Sequence, residues 1–260
     1  MKTALLVVSF GTTHLDTFEK TIAATEQALT EAFPELPFYR AFTSRIVRSR
    51  LDSKFGMKVD DVETAFARIA GDGFTHVLIQ PTLLIPGEEF DRLNASIRAA
   101  AGSLTVSVGK PLMCGEQDMD RMIEILKEAY PVEDGSALLL MGHGTYHSAN
   151  NIYEVLNRKM QALSGTMMRI CTVEGSPSFE DGVQELTALG IRKATLAPIL
   201  FVAGDHAKND MAGDEPDSLR SMLEAEGIAV TPILQGLGEL KPVQEFYVEK
   251  AKEAARLLNV

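Results

Sequence analysis

The sequence predicts an α/β protein of two similar lobes, each a parallel sheet with helices on both faces. Short β-branched, apolar runs alternate with amphipathic stretches along the chain, a pattern typical of parallel sheets. The same order of elements repeats in the second half of the sequence. A length of 260 residues also suits two cores better than one.

In the first half, four buried strands and the helices between them are predicted from periodicity. The predicted strands are Leu5–Phe10, Phe38–Thr43, Thr75–Ile85 and Leu104–Val108. Apolar residues three and four positions apart predict a helix after each strand, the last one ending at Pro131. Asp60 is the predicted N-cap of the helix that begins near Val62.

Three blocks of the first half align with three blocks of the second half in the same order. The aligned pairs are Ala4–His14 with Ala137–His147, Gly73–Glu89 with Gly190–His206, and Pro111–Gly115 with Pro232–Gly236. We therefore predict an internal duplication, with an N-terminal lobe at residues 1–130 and a C-terminal lobe at residues 136–260.

The first lobe carries an insertion around Ser44–Met57 that is rich in basic residues. It holds Arg45, Arg48, Arg50 and Lys54 against a single acidic residue, in a chain of net charge −11. The insertion could present cations to an acidic ligand, or it could be the solvated face of a helix. The residues alone leave both interpretations open.

Composition excludes several classes of function. A net charge of −11 argues against a nucleic-acid partner, because duplex binding needs a basic surface. No apolar run approaches the length of a membrane span, and the N-terminus lacks the pattern of a signal peptide. Cys114 and Cys171 are far apart in sequence, which suggests buried thiols in a reducing cytoplasm. There is no phosphate-binding loop or dinucleotide fingerprint, so we expect neither ATP nor another nucleotide.

Candidate site residues cluster at the predicted carboxyl ends of strands, where open α/β sheets bind ligands. His143 and His206 follow matched strands of the second lobe beside glycines, and Glu174 ends a third strand there. Two imidazoles and one carboxylate suit a transition-metal ion and leave coordination positions free for a reaction. His14 and His147 are weaker candidates, just past the first strand of each lobe.

The chain resembles the class II chelatases, and within them the anaerobic sirohydrochlorin cobaltochelatase family known as CbiK. The matching segments are Leu5–Thr12, Arg40–Ser44, Met141–Gly144, Val173–Glu174, Val202–Ala207, Asn209–Ala212 and Gly236–Glu239. The resemblance implies two flavodoxin-like lobes with a cleft for a tetrapyrrole. It also implies ATP-independent insertion of cobalt(II) into sirohydrochlorin or a related precorrin, with release of two protons.

The resemblance assigns roles to particular residues. It implies that His143, Glu174 and His206 hold the metal. We expect His143 to accept a proton, His206 to act as a possible second base, and Glu89 to help relay protons. The remaining expected contacts to the tetrapyrrole are Ser9, Phe10, Gly11, Arg45, Gly87 and Glu88. Arg40 and Lys208 are further candidates for binding its carboxylates.

Other functions remain open at this point. Two histidines and a carboxylate do not choose sharply between cobalt and iron, so a sirohydrochlorin ferrochelatase is one alternative. Insertion of nickel(II) would look similar. A non-catalytic two-lobed carrier of metal or haem is an alternative of another class. The sequence leaves a homo-oligomer possible.

Overall fold

The computed structural model describes residues 2–163 and 167–259, and in them the chain forms two four-stranded parallel sheets. The strands are β1 (Thr3–Ser9), β2 (Phe38–Phe42), β3 (His76–Pro81), β4 (Thr105–Val108), β5 (Ala137–Gly144), β6 (Met168–Glu174), β7 (Lys193–Pro198) and β8 (Ala229–Pro232). The first sheet has the order β2-β1-β3-β4 and the second the order β6-β5-β7-β8. The same order in both sheets agrees with the predicted duplication.

Helices connect successive strands. They are α1 (Leu15–Phe18), α2 (Ala24–Ala32), α3 (Arg45–Phe55), α4 (Val62–Gly71), α5 (Glu88–Ala100), α6 (Glu116–Ala129), α7 (Asn151–Ala162), α8 (Phe179–Ala188), α9 (Leu219–Ala225) and α10 (Lys241–Ala255). Two segments are π-helical, Glu19–Ala23 and His206–Met211. The predicted first helix is therefore a continuous α–π–α run.

The chain divides into two compact units whose composition differs from the predicted lobes. One unit comprises the chain up to Cys114 together with the chain from Gly238 onward, and the other comprises Gly115–Leu237. The helix that follows each fourth strand accounts for the difference. Helix α6 packs on α7, whereas α10 packs on α2 and β3. The predicted boundaries at residues 130 and 136 followed sequence order, which cannot show this exchange of helices.

Strand β1 shows why the first sheet is covered on both faces. Because side chains alternate along a strand, Ala4, Leu6 and Val8 enter the core that contains Phe66 of α4 and Leu93 of α5. Leu5 and Val7 enter a second core on the opposite face, with residues of α2 and α10. A strand buried on both faces needs a continuous apolar sequence, which is the pattern that predicted it.

The second unit is built in the same way around β5. Leu139 and Met141 of β5 lie in one core with residues of α8 and α9. Its other buried leucines, Leu138 and Leu140, alternate with these along the strand. The alternation buries the strand on both faces and leaves its carboxyl end, at His143 and Gly144, for the site.

Two predicted boundaries differ from those in the structure. Strand β3 ends at Pro81 rather than at Ile85, because its ladder with β1 ends with the pair Val8–Pro81. The carbonyl groups of Leu83 and Leu84 accept hydrogen bonds from the loop after β4 instead. The N-cap of α4 is Asp61, not Asp60; its side chain accepts a hydrogen bond from the Thr64 amide.

The basic insertion of the first unit is helix α3. Ser44 caps its first turn, and Gly56 ends it with a φ of 64°. In the second unit, the chain passes from β6 to α8 without a corresponding helix. The number of residues between the aligned blocks therefore located the insertion correctly. Over the described residues, the helices are all too short or too polar to cross a bilayer.

Candidate metal centre

Two imidazoles of the second unit lie side by side. His143 projects from the end of β5, and His206 begins the π-helical segment that follows β7. Their ring centroids are 4.7 Å apart, and the rings are nearly perpendicular at 85°. Two imidazoles that share an ion through bonds of about 2.1 Å, at roughly a right angle, place their centroids roughly 4.5–5 Å apart. The pair therefore has a spacing that suits joint binding of a cation.

The hydrogen bonds of this pair fix which ring nitrogens are free. Nδ1 of His143 lies 3.0 Å from the carbonyl oxygen of Gly144, and Nδ1 of His206 lies 2.6 Å from Oδ2 of Asp210. A carbonyl and a carboxylate only accept hydrogen bonds, so both Nδ1 atoms carry the proton. In the neutral rings, each Nε2 then keeps a lone pair that can bind a metal ion or accept a proton.

Gly144 determines how closely β5 approaches β6 beside His143. Its φ is +77°, and a Cβ at this position would lie 1.5 Å from the carbonyl oxygen of Glu174. Only glycine fits both the left-handed backbone and the close approach. Gly144 and Glu174 are also register partners in the sheet. The backbone of the predicted carboxylate ligand is therefore fixed next to the histidine pair.

The side chain of Glu174 does not complete a three-ligand group in this structure. Glu174 is exposed, and its backbone pairs with Gly144, the residue after His143. Among residues 2–163 and 167–259, no three His, Cys, Asp or Glu side chains form a group able to hold a metal ion. The role of Glu174 as a ligand stays a prediction.

A buried tyrosine supports the backbone under His143. Tyr153 of α7 is 3% exposed, and its ring fills the space in front of Gly142, where a Cβ would lie 2.5 Å from the ring. Burial raises the pKa of Tyr153, and the backbone amides of Gly144 and His143 act in the opposite direction. The phenol is thus a neutral packing group beneath the strand end.

His147 has a structural role that separates it from the pair. Its Nδ1 accepts a hydrogen bond of 3.1 Å from the Ala149 amide and so caps the 3-10 turn Ser148–Asn150. A ring that accepts through Nδ1 carries its proton on Nε2 when it is neutral. His14, its counterpart by duplication, stands at the N-cap of α1, and its amide is bound by Thr12.

The predicted contacts at the end of β1 differ in accessibility. Ser9 is 2% exposed, and its hydroxyl oxygen accepts a hydrogen bond of 2.8 Å from Thr82. Burial therefore makes Ser9 a poor candidate for direct contact with a ligand. Phe10 is 50% exposed. Gly11 has a φ of +98°, and a Cβ there would lie 2.6 Å from the ring of Phe42.

Gly87, Glu88 and Glu89 form the start of α5 in the first unit. Gly87 is the N-cap, and the two glutamates occupy the first turn, where negative charge is favourable to the helix dipole. Both carboxylates contact Arg92. Glu89 also accepts a hydrogen bond of 3.3 Å from Thr43. Glu89 is therefore held in place while its side chain stays about one-third exposed.

Helix α3 presents only some of its basic residues to solvent. Arg45, Arg50 and Lys54 are exposed, whereas Arg48 forms an ion pair of 3.2 Å with Asp61. Arg40, a further candidate for binding the carboxylates, is already engaged within the first unit, and its role in substrate binding stays a prediction. Its guanidinium forms a bidentate pair with the buried carboxylate of Glu26.

Sequence reasoning missed two residues near these positions. Asp210 forms a hydrogen bond with His206. The signal in the sequence was that Asp210 follows His206 by four residues, the spacing of side chains that face each other on a helix. Ile46 is 65% exposed on α3, next in sequence to the predicted contact Arg45. An exposed isoleucine can be seen only once the helix is placed.

Comparison with solved structures shows a shared fold. SirB from Bacillus subtilis with Fe3+ has a TM-score of 0.68 and 19% identity, covering 100% of this chain and 98% of that chain. CbiX, described as the terminal enzyme for biosynthesis of siroheme in denitrifying bacteria, has a TM-score of 0.54 and 18% identity, covering 96% of this chain and 99% of that one. The chain therefore shares the two-unit α/β fold of these two proteins.

Sequence comparison gives closer relatives. The sirohydrochlorin cobaltochelatase of Salmonella typhimurium is 34% identical over 259 residues, covering 99% of this chain and 98% of that protein. Sirohydrochlorin cobaltochelatase CbiKC of Nitratidesulfovibrio vulgaris is 33% identical over 263 residues, covering 99% and 92%. A model of the cobalt chelatase (CbiK) family matches residues 3–256. The chain belongs to the cobalt chelatase (CbiK) family.

Proposed function

We propose that this protein inserts cobalt(II) into sirohydrochlorin and releases the two pyrrole N–H protons. Its sequence relatives carry the name of this activity. The observation that supports the proposal most is the His143–His206 pair, with ring centroids 4.7 Å apart and both Nε2 lone pairs free. A pair of neutral imidazoles can hold a divalent ion while leaving coordination positions for the nitrogens of the macrocycle.

We assign Glu174 to the same step. A carboxylate beside two neutral ligands offsets the charge of the ion and lowers the cost of removing its water. The backbone of Glu174 is already next to the pair, through its register with Gly144. Since the side chain is exposed, it can change rotamer without disturbing a core.

The proton acceptors follow from the same tautomers. An imidazole whose Nε2 binds the ion can accept a proton there once the ion has passed to the macrocycle. We assign His143 as the first acceptor and His206 as the possible second base, so that the two released protons have two destinations. Glu89 is proposed as a proton carrier; Thr43 and Arg92 hold its carboxylate.

Binding of the macrocycle is assigned to the first unit. Sirohydrochlorin is rich in carboxylates, and Arg45, Arg50 and Lys54 are exposed cations on one helix. Phe10 and Ile46 are exposed apolar side chains of the same unit, and the amide of Ser44, next to Arg45, donates to the carbonyl of Phe10. Cations beside apolar side chains suit a flat, apolar ring with acidic substituents.

We propose that the reaction needs no ATP and that iron(II) and nickel(II) are also accepted in vitro. Imidazole and carboxylate ligands also bind iron(II) and nickel(II). The metal that is inserted therefore depends on which ion is available and on how fast that ion enters the macrocycle. Insertion rates for the three ions, measured alone and in competition without ATP, test this. A rate that depends on ATP would contradict the first statement.

The proposed function is tested by the absorption spectrum of sirohydrochlorin mixed with cobalt(II) and catalytic amounts of the protein. The expected result is conversion to the cobalt complex over many turnovers, well above the rate without protein. Binding of one equivalent with no turnover would instead indicate the metal or haem carrier.

A further inference from the structure

We infer that Asp210 is a positioning residue: its carboxylate holds His206 as the Nδ1–H tautomer, so that Nε2 stays available to the cobalt ion. The inference rests on the proposed function and adds a residue to it. Oδ2 of Asp210 lies 2.6 Å from Nδ1 of His206. A carboxylate bound to the far nitrogen of a ligating histidine fixes the orientation of the ring and makes the other nitrogen a stronger ligand.

This contact lies within the π-helical segment His206–Met211. The Ala212 amide donates to the carbonyl of Ala207, five residues earlier, which marks the wide turn. In such a turn, residues four apart lie nearly above one another, because each residue advances less around the axis than in an α-helix. The side chains of His206 and Asp210 are therefore brought together by the backbone, although each is 43% exposed.

The π-helical segment is packed against the core and closed at its end, which fixes the position of the His206–Asp210 pair. Ala207 and Met211 are fully buried in the core of the second unit. Gly213 ends the turn, and a Cβ there would lie 2.2 Å from the carbonyl oxygen of Asn209. Ser218 also donates a hydrogen bond of 2.7 Å to the Gly213 carbonyl. A rigid turn can impose one ring orientation, which a freely rotating surface ion pair cannot.

The partner of the other histidine shows what Asp210 adds. Nδ1 of His143 is held by a backbone carbonyl, which comes with the strand end and needs no particular side chain. His206 lies outside the sheet, and the acceptor at its Nδ1 is a side chain. Asp210 supplies it. Each ring then presents its Nε2, while the capping histidine His147 has the opposite tautomer.

The direct test is heteronuclear NMR of the full chain with isotope-labelled histidine, without metal, at about pH 8, above the pKa of about 6.5 of imidazole in model peptides. His206→Ala identifies the His206 signals. We expect the parent to show the Nδ1–H tautomer at His206 and Asp210→Ala to shift it towards the Nε2–H tautomer. Asp214→Ala removes the same charge from a side chain that is 93% exposed, and we expect it to leave the tautomer unchanged. An unchanged tautomer in Asp210→Ala would overturn the inference.

Cobalt(II) affinity gives a second readout by titration calorimetry. We expect Asp210→Ala to weaken binding roughly 10- to 100-fold. Asp210→Asn keeps an acceptor oxygen and should recover part of the cobalt affinity. Far-UV circular dichroism checks that both variants are folded. A role that is only structural would give no such recovery in the folded Asp210→Asn protein. Equal affinities of the parent and Asp210→Ala would also overturn the inference. If the parent binds cobalt but does not insert it, the proposed function fails, and the tautomer result stands separately.

Discussion

His143 and His147 are four residues apart, yet their imidazoles have opposite hydrogen-bonding roles. Nδ1 of His143 lies against the Gly144 carbonyl and must donate, whereas Nδ1 of His147 accepts from the Ala149 amide. A ring that donates through Nδ1 has a free Nε2 lone pair, and a ring that accepts through Nδ1 does not when neutral. The structure thus separates a candidate ligand at the end of β5 from a helix cap four residues later.

The first prediction follows from this difference. His143→Ala should lower the rate of cobalt insertion by roughly 10²–10⁴-fold, because it removes both a ligand and the proposed proton acceptor. His147→Asn is the matched control, since asparagine also caps a helical turn and should keep most of the activity. Spectroscopic rates of the two variants check this. Similar losses in both would contradict the assignment.

The second prediction concerns Glu174. If its carboxylate joins the ion after a change of rotamer, Glu174→Gln should weaken cobalt(II) binding by roughly 10-fold or more. Glu180→Gln removes an equivalent charge from the first turn of α8 and should have little effect. Calorimetric titration of both variants measures the difference. Parent-like affinity in Glu174→Gln would remove this residue from the ligand set.

The third prediction concerns the exposed cations of α3. Reversing Arg45 and Arg50 to glutamate should raise the KM for sirohydrochlorin roughly 10-fold, since exposed charge pairs contribute up to about 1 kcal/mol each. Cobalt affinity should not change, and the effect should shrink in high salt. Arg48 is left intact because it pairs with Asp61.

The control for this prediction is Arg98→Glu, the same change on the exposed surface of α5. It should leave KM within about twofold of the parent. If reversing Arg45 and Arg50 has no larger effect than this control, α3 takes no part in substrate binding.

The fourth prediction concerns the buried ion pair of Arg40 and Glu26. Burial raises the pKa of Glu26, and Arg40 opposes that rise. A carboxyl whose folded pKa is raised stabilises the fold most at low pH, and this contribution is lost as pH rises through the folded pKa. Arg40→Met removes the opposing cation and leaves a buried carboxylate. It should therefore destabilise the protein near pH 7 by about 1–3 kcal/mol, less than for a fully buried pair because Arg40 is 30% exposed.

The pH dependence distinguishes this account from a simple loss of packing. The destabilisation in Arg40→Met should shrink between pH 7 and a more acidic pH below the raised pKa of Glu26, because the buried carboxyl then takes up a proton. Denaturant unfolding of the parent and the variant at both pH values measures it. A difference that stays constant with pH would mean that the charge of Glu26 is not the cause.

The fifth prediction concerns the two thiols. Both cysteines were expected to be buried, but only Cys171 is, and Cys114 is exposed. Burial raises the pKa of the Cys171 thiol, and Asp181 and Glu180 add to the rise. A thiol reagent should therefore modify one cysteine in the folded protein and both in denaturant. Rapid modification of Cys171 in the folded state would contradict the described core.

The fold was largely predictable because parallel strands that are buried on both faces require continuous apolar runs. Strands β1 and β5 both have such runs. The histidine pair was predictable for a related reason, since the ends of neighbouring parallel strands meet at one edge of the sheet. The insertion α3 could be located from block spacing alone.

Other features depend on geometry that sequence spacing does not contain. The nearness of the Glu174 backbone to His143 depends on its register with Gly144, which is known only when the strands are paired. The contact of Asp210 with His206 lies in a π-helical turn, a backbone form that the residue spacing does not indicate. The ion pair of Arg40 with Glu26 joins residues 14 positions apart and is visible only in the folded chain. The position of α10 likewise depends on packing between residues distant in sequence.

The central claim is that the ion inserted is the one held by His143 and His206. A single-turnover experiment tests it most directly: protein loaded with one equivalent of cobalt(II) is mixed with sirohydrochlorin and an excess of chelator that captures any free ion. The account predicts that the parent forms the cobalt complex despite the chelator, whereas His206→Ala loses its cobalt to the chelator. Equal product from both proteins would contradict the account.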